Sequence, residues 1–461
     1  MLESTHIQAL TQIVGKDNCH TDKAHLLAYC YDATRERYEP DAIVYPRDEA
    51  EVSAILRYCN THKITIVPRG AGSGFTGGAL PSSGGVVLSL EKHFNAILEI
   101  DEKNLIARVQ PGVVNKIFQN EVEKRGLFYP PDPASQDYST LGGNVSENAG
   151  GMRAAKYGIT KDYVLALRAV LPNGDIIRAG KKTIKDVAGY NIAGILIASE
   201  GTLAVITELT LKLIPKPKHK RSAMGVFASI EDAMNAVYRS MASGITPVAM
   251  EFLDQLSIQA VEERFHKGLP KDAGAILITQ VDGDLPEVLE SDLSLLQARF
   301  MENGCTKFVV AKDSKEEEDL WFARRNVSQS ITIYGKKKLN EDITVPRSRL
   351  PELLTRIQEM SEKYGFKIPC FGHTGDGNVH TNVMVPNPED KDELARGYAC
   401  IEEIFAIAVE LEGTLSGEHG IGLSKAPFMH LAFTQEEMNL FKAIKRAFDP
   451  NNILNPGKMG L

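Results

Sequence analysis

A glycine-dense loop set between two short apolar strands places the strongest constraint on how this chain can fold. Residues 64–78 read Ile-Thr-Ile-Val-Pro-Arg-Gly-Ala-Gly-Ser-Gly-Phe-Thr-Gly-Gly, and residues 86–90 read Val-Val-Leu-Ser-Leu. The letters Gly72-Ser-Gly74-Phe-Thr-Gly77 match the glycine spacing of a dinucleotide-binding fingerprint. That fingerprint works by opening a helix inside the motif, so that pyrophosphate meets the helix N-terminus. Here Ala79-Leu-Pro81-Ser-Ser-Gly-Gly85 fills the gap before the next strand, and no helix fits. The segment therefore predicts strand, glycine turn, strand, with backbone N–H groups able to cradle an anion. A Rossmann-type nicotinamide site is disfavoured; on its own the loop is weak evidence, a flexible surface loop being the plain, less favoured alternative.

Two further stretches add to this loop. Residues 138–158, Tyr-Ser-Thr-Leu-Gly-Gly-Asn-Val-Ser-Glu-Asn-Ala-Gly-Gly-Met-Arg-Ala-Ala-Lys-Tyr-Gly, offer backbone donors, hydroxyls and amides without bulk. They suit a second wall around an elongated polar cofactor. Residues 198–214 turn a glycine corner at Gly201 into a long alternating strand.

A different chemistry sits near the C-terminus. Residues 372–382 read Gly-His-Thr-Gly-Asp-Gly-Asn-Val-His-Thr-Asn, and Glu418-His419 follows between glycines. Turn-forming Gly375-Asp376-Gly377 lets the chain fold back so that His373 and His380 converge, while His380 and Asn382 share one strand face. Two neutral imidazoles and a carboxylate suit zinc, iron or manganese and leave coordination positions open. His419 then remains as a base, histidine being the side chain that exchanges a proton most readily near neutrality. A hydrogen-bonded turn with incidental histidines is the plain alternative, though it leaves four of 11 histidines, His93 included, to coincidence.

In this order the segments resemble the vanillyl-alcohol-oxidase type of FAD-binding fold, in the branch of D-lactate, D-2-hydroxyglutarate and glycolate dehydrogenases. Arg69, Gly70, Ala71, Gly72, Ser73 and Gly74, with Thr76 and Gly77, resemble its first pyrophosphate loop. Ser139, Thr140, Gly143, Asn144, Ser146, Gly150 and Gly151, with Tyr157 and Gly158, resemble the second. Lys185–Asn191 followed by Glu200, Gly201 and Ile206 resembles the adenine- and flavin-contacting strand, and Asp449–Lys458 the C-terminal signature. The likeness runs from about residue 38 to 458 and is strongest to the glycolate oxidase flavoprotein subunits.

The resemblance implies an α+β protein: a two-part PCMH-type FAD-binding domain at 1–215, an α+β cap with an antiparallel sheet at 222–415, and a segment 416–461 returning to the flavin. It implies FAD, a divalent metal on His373, His380 and Glu418, and oxidation of a short 2-hydroxy acid, with Arg324 and Ser328 holding the carboxylate. In that chemistry His419 is the candidate base, and Asn382 is expected to orient substrate or a metal-bound oxygen. Phe75 and Thr76 stand where covalent relatives carry a flavin-linking histidine, which implies non-covalent FAD. Asn340 stands where diacid-specific members place a lysine, with Lys338 nearby, which favours a mono-acid such as glycolate or D-lactate over D-2-hydroxyglutarate. The implied partners are an iron–sulfur subunit and a second flavoprotein subunit of a glycolate oxidase complex. A metal-dependent hydrolase is the rival from another class; it would use the same ligands but has no need of the glycine segments.

Composition sets the remaining bounds. A net charge of −8 argues against nucleic acid as a partner. No apolar run is long enough to span a bilayer, and no secretory signal opens the chain. Six scattered cysteines fit reduced thiols in the cytoplasm and exclude an internal iron–sulfur cluster of ordinary spacing. Any attachment to a membrane would run through partner subunits. Strands are expected to dominate 86–214, broken by one helix near 113–125, and the proline- and lysine-rich stretch 215–221 reads as a solvated linker.

Overall fold

The computed structural model describes residues 2–461. The chain divides into two compact units. The first comprises residues 1–150, 159–216 and 418–461; the second comprises 151–158 and 217–417.

In the first unit, Asp48 caps the helix Glu49–His62 by accepting from the Glu51 N–H, and Lys63 ends it in the left-handed region. The buried side of that helix, Val52, Ile55, Leu56 and Cys59, packs on a four-stranded sheet. The strands run in the order Cys19–His20, Ala42–Val44, Val86–Ser89, Ile66–Arg69. The last three are parallel. Successive side chains of Val86-Val87-Leu88 leave opposite faces, and both faces are covered: Val86 and Leu88 join the helical core, Val87 the cluster on the other side. A parallel strand buried on both faces reads as an unbroken apolar run, as this one does.

A five-stranded antiparallel sheet follows, ordered Ile97–Asp101, Ile106–Val109, Val205–Lys212, Val164–Val170, Ile176–Gly180. The central strand Val205–Lys212 is buried on nearly every residue rather than alternating, and two register shifts interrupt its pairing. Between 86 and 214 there are four α-helices, not one. The helix Asn115–Glu123 occupies the expected place, and Leu141–Glu147, Ala154–Tyr157 and Ile192–Leu196 are additional. Glycines at 142 and 143 hid the second of these, whose start is fixed by Thr140 accepting from the Gly143 N–H.

The second unit is built on a seven-stranded sheet ordered Cys305–Val310, His219–Phe227, Ala275–Gly283, Ala249–Asp254, Cys370–His373, Asn378–Val385, Lys337–Thr344. Every pairing is antiparallel. The linker is shorter than expected, because His219, Lys220 and Arg221 already belong to a strand. All six cysteines are free thiols, and no helix is long and apolar enough to cross a membrane among the described residues.

Candidate active site

In the first unit the loop after Arg69 and the turn at Thr140 wall one open cleft. Arg69 is buried and staples the loop, donating to the carbonyls of Tyr31 (2.8 Å) and Ala79 (3.2 Å). Position 70 must be glycine for close approach: a Cβ there would lie 2.2 Å from Thr140 Oγ1. Of the residues expected to hold a cofactor, Arg69–Gly74, Thr140, Gly143, Asn144, Ser146, Gly150, Glu200, Gly201 and Ile206 line this cleft. Glu418 and His419 line it too, with the imidazole 5.2 Å from the Phe75 ring.

Other expected positions do not reach the cleft. Thr76 holds the following loop, its hydroxyl donating to the His419 carbonyl (3.1 Å) and its carbonyl accepting from Leu423 and Ser424. Gly77 lies beside it, and buried Ser139 accepts through its carbonyl from Asn115. Gly151, Tyr157 and Gly158 belong to the second unit, where the Tyr157 hydroxyl donates to Asp282 at 2.7 Å. Lys185–Asn191 lies at the surface, with Val187 99% and Tyr190 92% exposed. His93 binds Asn18 and is also outside the cleft.

Backbone and small residues dominate the walls, as a long anionic cofactor requires. Glu200 has φ +50°, a left-handed conformation that costs a non-glycine residue about 1 kcal/mol. Its carboxylate repays this by accepting from the N–H groups of Ile421 (2.7 Å) and Gly422 (2.8 Å). Nothing in the sequence separates Glu200 from a surface acid except its place in a small-residue turn.

The second unit carries the histidines. The hairpin pairs Phe371 with His380 across Cys370–His373 and Asn378–Val385, and the two imidazoles meet edge to face with centroids 5.3 Å apart. On the neighbouring strand Glu251 stands opposite His373. Its fully buried carboxylate takes His373 Nδ1 at 2.8 Å and Arg324 Nε at 2.6 Å. A histidine whose Nδ1 is tied to a carboxylate presents Nε2 in a fixed direction, the arrangement metal sites use. Arg324 keeps its two Nη groups for other acceptors, and its guanidinium lies 5.2 Å from the Phe371 ring.

Asn382 is buried opposite Asn340. Its amide donates to Pro369 O, and Oδ1 has no hydrogen-bond partner. Ser328 is exposed, its hydroxyl accepting from Lys338 Nζ at 2.8 Å. Gly417, the last residue of this unit, donates to Asp342 Oδ2 at 2.8 Å. Asp342 is the register partner of His380. Glu251 was missed from sequence. The signal was a carboxylate inside the apolar run Ala-Met-Glu-Phe-Leu, ahead of the helix-capping Asp254, on a strand buried at every position.

An acid-tethered histidine pair and, in the other unit, a glycine-walled cleft define an FAD-linked oxidoreductase. Family models agree: an FAD binding domain matches residues 40–180, and the C-terminal domain of FAD linked oxidases matches 216–459. The chain belongs to the FAD-linked oxidases. It is 43% identical to the glycolate oxidase subunit GlcD of Bacillus subtilis, over 98% of this chain and 96% of that one. It is 35% identical to a D-lactate dehydrogenase of Anaerostipes hadrus (100% and 97% covered) and 32% to a D-2-hydroxyglutarate dehydrogenase of Stutzerimonas stutzeri (100% and 99%). The fold is shared with p-cresol methylhydroxylase, at TM-score 0.80 and 19% identity over 99% of this chain and 96% of that one.

Proposed function

We propose that this FAD-dependent oxidoreductase converts a short 2-hydroxy acid, glycolate first and D-lactate next, to the 2-oxo acid. The observation that carries this is Glu251, which binds Arg324 and His373 through one buried carboxylate. It supports reading Arg324 as a carboxylate anchor and His373 as a metal ligand on one tether, which would match the adjacent carboxylate and hydroxyl of a 2-hydroxy acid. Bound FAD supplies the two-electron acceptor, and a zinc, iron or manganese ion on His373, His380 and Glu418 would acidify the substrate hydroxyl.

The chain's own residues do the rest. Arg324 grips the carboxylate through its Nη pair, its Nε held by Glu251. His419 takes the hydroxyl proton, and Asn382 Oδ1 orients the substrate. Ser328 would assist only through Lys338. Asn340, uncharged where a second substrate carboxylate would need a cation, favours the mono-acid over D-2-hydroxyglutarate. FAD is held without a covalent link. The electrons pass on to a partner, an iron–sulfur or second flavoprotein subunit of a glycolate-oxidase-type complex, or to a quinone-linked acceptor, with the protein in the cytoplasm.

The test is anaerobic mixing of the holoenzyme with glycolate, D-lactate, L-lactate and D-2-hydroxyglutarate while following the flavin's visible band. Glycolate and D-lactate should bleach it within seconds, and the diacid far more slowly. Bleaching by none of the four would overturn the reading; fastest bleaching by the diacid would move the chain to the D-2-hydroxyglutarate branch.

A further inference from the structure

The cleft of the first unit presents an electrostatic problem. Its lining contains three carboxyl groups, Glu147, Glu200 and Glu418, against one guanidinium, Arg69. Yet it must accept a cofactor with an anionic pyrophosphate. Two of the three acids are accounted for: Glu200 is held by two backbone N–H groups and attracted by Lys458 and Lys425, and Glu418 is the proposed metal ligand.

Glu147 has no such compensation. It ends the helix Leu141–Glu147, and its carboxyl is wedged between Gly78 and Gly420. A Cβ at Gly420 (φ +82°) would lie 2.1 Å from Glu147 Oε2 and 3.1 Å from Glu200 Oε1, so both carboxyls crowd one point. Glu147 Oε2 is buried with no hydrogen-bond partner. The charged groups around it are Glu200 and Asp32, both acids, with Arg69 tied to backbone carbonyls and Lys458 and Lys425 on the side of Glu200. His419 precedes Gly420 on the same wall. Burial comes first and the neighbouring acids second in raising the Glu147 carboxyl well above its ordinary range, and nothing opposes them.

We propose that Glu147 serves the holoenzyme as a neutral carboxylic acid, donating its O–H to bound FAD, so that cofactor binding is linked to one proton. The sign follows from linkage. Burial already favours the proton in the free cleft, and an O–H donated to FAD holds it more tightly still, so bound protein keeps the proton to higher pH than free protein and FAD affinity falls as pH rises.

The experiment titrates FAD into apoprotein from about pH 6.5 to about pH 9.5, following flavin fluorescence, for wild type and Glu147→Gln. The wild-type Kd should climb toward about tenfold per pH unit in the alkaline limb, while the glutamine variant, a permanent neutral donor, stays flat. Lys458, whose pKa burial lowers to about 8, loses its charge in the same range. An alkaline loss that persists unchanged in Glu147→Gln belongs to Lys458 and overturns the assignment, as does a flat wild-type curve. Should the variant fail to fold, calorimetry of FAD binding to wild type in two buffers of different ionisation enthalpy decides. Net proton uptake near pH 9 that persists in Lys458→Met supports the proposal, and uptake that is absent, or that disappears with Lys458, refutes it.

Discussion

At the scale of single residues, the decisive contact is one that leaves little trace in the sequence. His373 and His380 announce themselves through spacing and a glycine turn, but Glu251 lies 122 positions before His373 and meets it only through strand pairing. Long-range register is invisible to local pattern, which is why the histidines were legible and their tether was not. Glu147 was hidden for a related reason: a lone acid among small residues reads as solvated until two loops close over it. Glu251→Gln keeps the shape but removes the charge that holds both His373 and Arg324. Metal affinity should fall about 10- to 100-fold, measured against a chromophoric chelator, and KM for the hydroxy acid should rise in parallel. An unchanged metal affinity would separate Glu251 from the metal role.

At the scale of elements, amphipathic helices and buried strands were readable, because caps and apolar periodicity are local. Short helices rich in glycine were not, since propensity argues against them and tertiary packing overrides it. Asp254 shows an acid serving two elements at once. It caps the helix Gln255–Phe265 by accepting from the Ser257 N–H (2.8 Å) and ties the strand Cys370–His373 through the Cys370 N–H (2.8 Å). Burial raises its pKa from 3.8 to about 6. The folded state thus binds the proton more tightly than the unfolded chain, so this group's contribution is fullest below about pH 4 and declines as pH climbs through about 6. Asp254→Asn offers one oxygen where two N–H groups need acceptors. Chemical denaturation near neutral pH should show a loss of about 1–3 kcal/mol, and the gap to wild type should widen as the pH is lowered from about 6 to about 4. A gap that stays constant would contradict the raised pKa.

At the scale of the whole molecule, the first unit is assembled from three separate stretches, and the last of them supplies buried fasteners. Lys445 Nζ donates to Thr202 O (2.7 Å), Leu454 O (2.8 Å) and Asp449 Oδ2 (2.5 Å). Asn455 Nδ2 reaches Glu200 O and Gly78 O, and Leu454 enters the core around Val86 and Leu88. Lys445→Met would leave three buried acceptors, one of them charged, without their donor and should cost about 3–5 kcal/mol, read as a lowered Tm together with weaker flavin retention. A Tm within a degree of wild type would show the fastener to be dispensable. The order of synthesis gives this discontinuity a temporal cost. A ribosome extending at roughly 5–20 residues per second finishes residue 216 well before it reaches 418, leaving the opening stretch without its closing partner for roughly ten to fifty seconds. The inserted unit, continuous apart from eight residues made earlier, can mature during that wait. A nascent chain of this design should therefore need a chaperone to shield its exposed apolar strands, and should acquire its yellow colour only after leaving the exit tunnel.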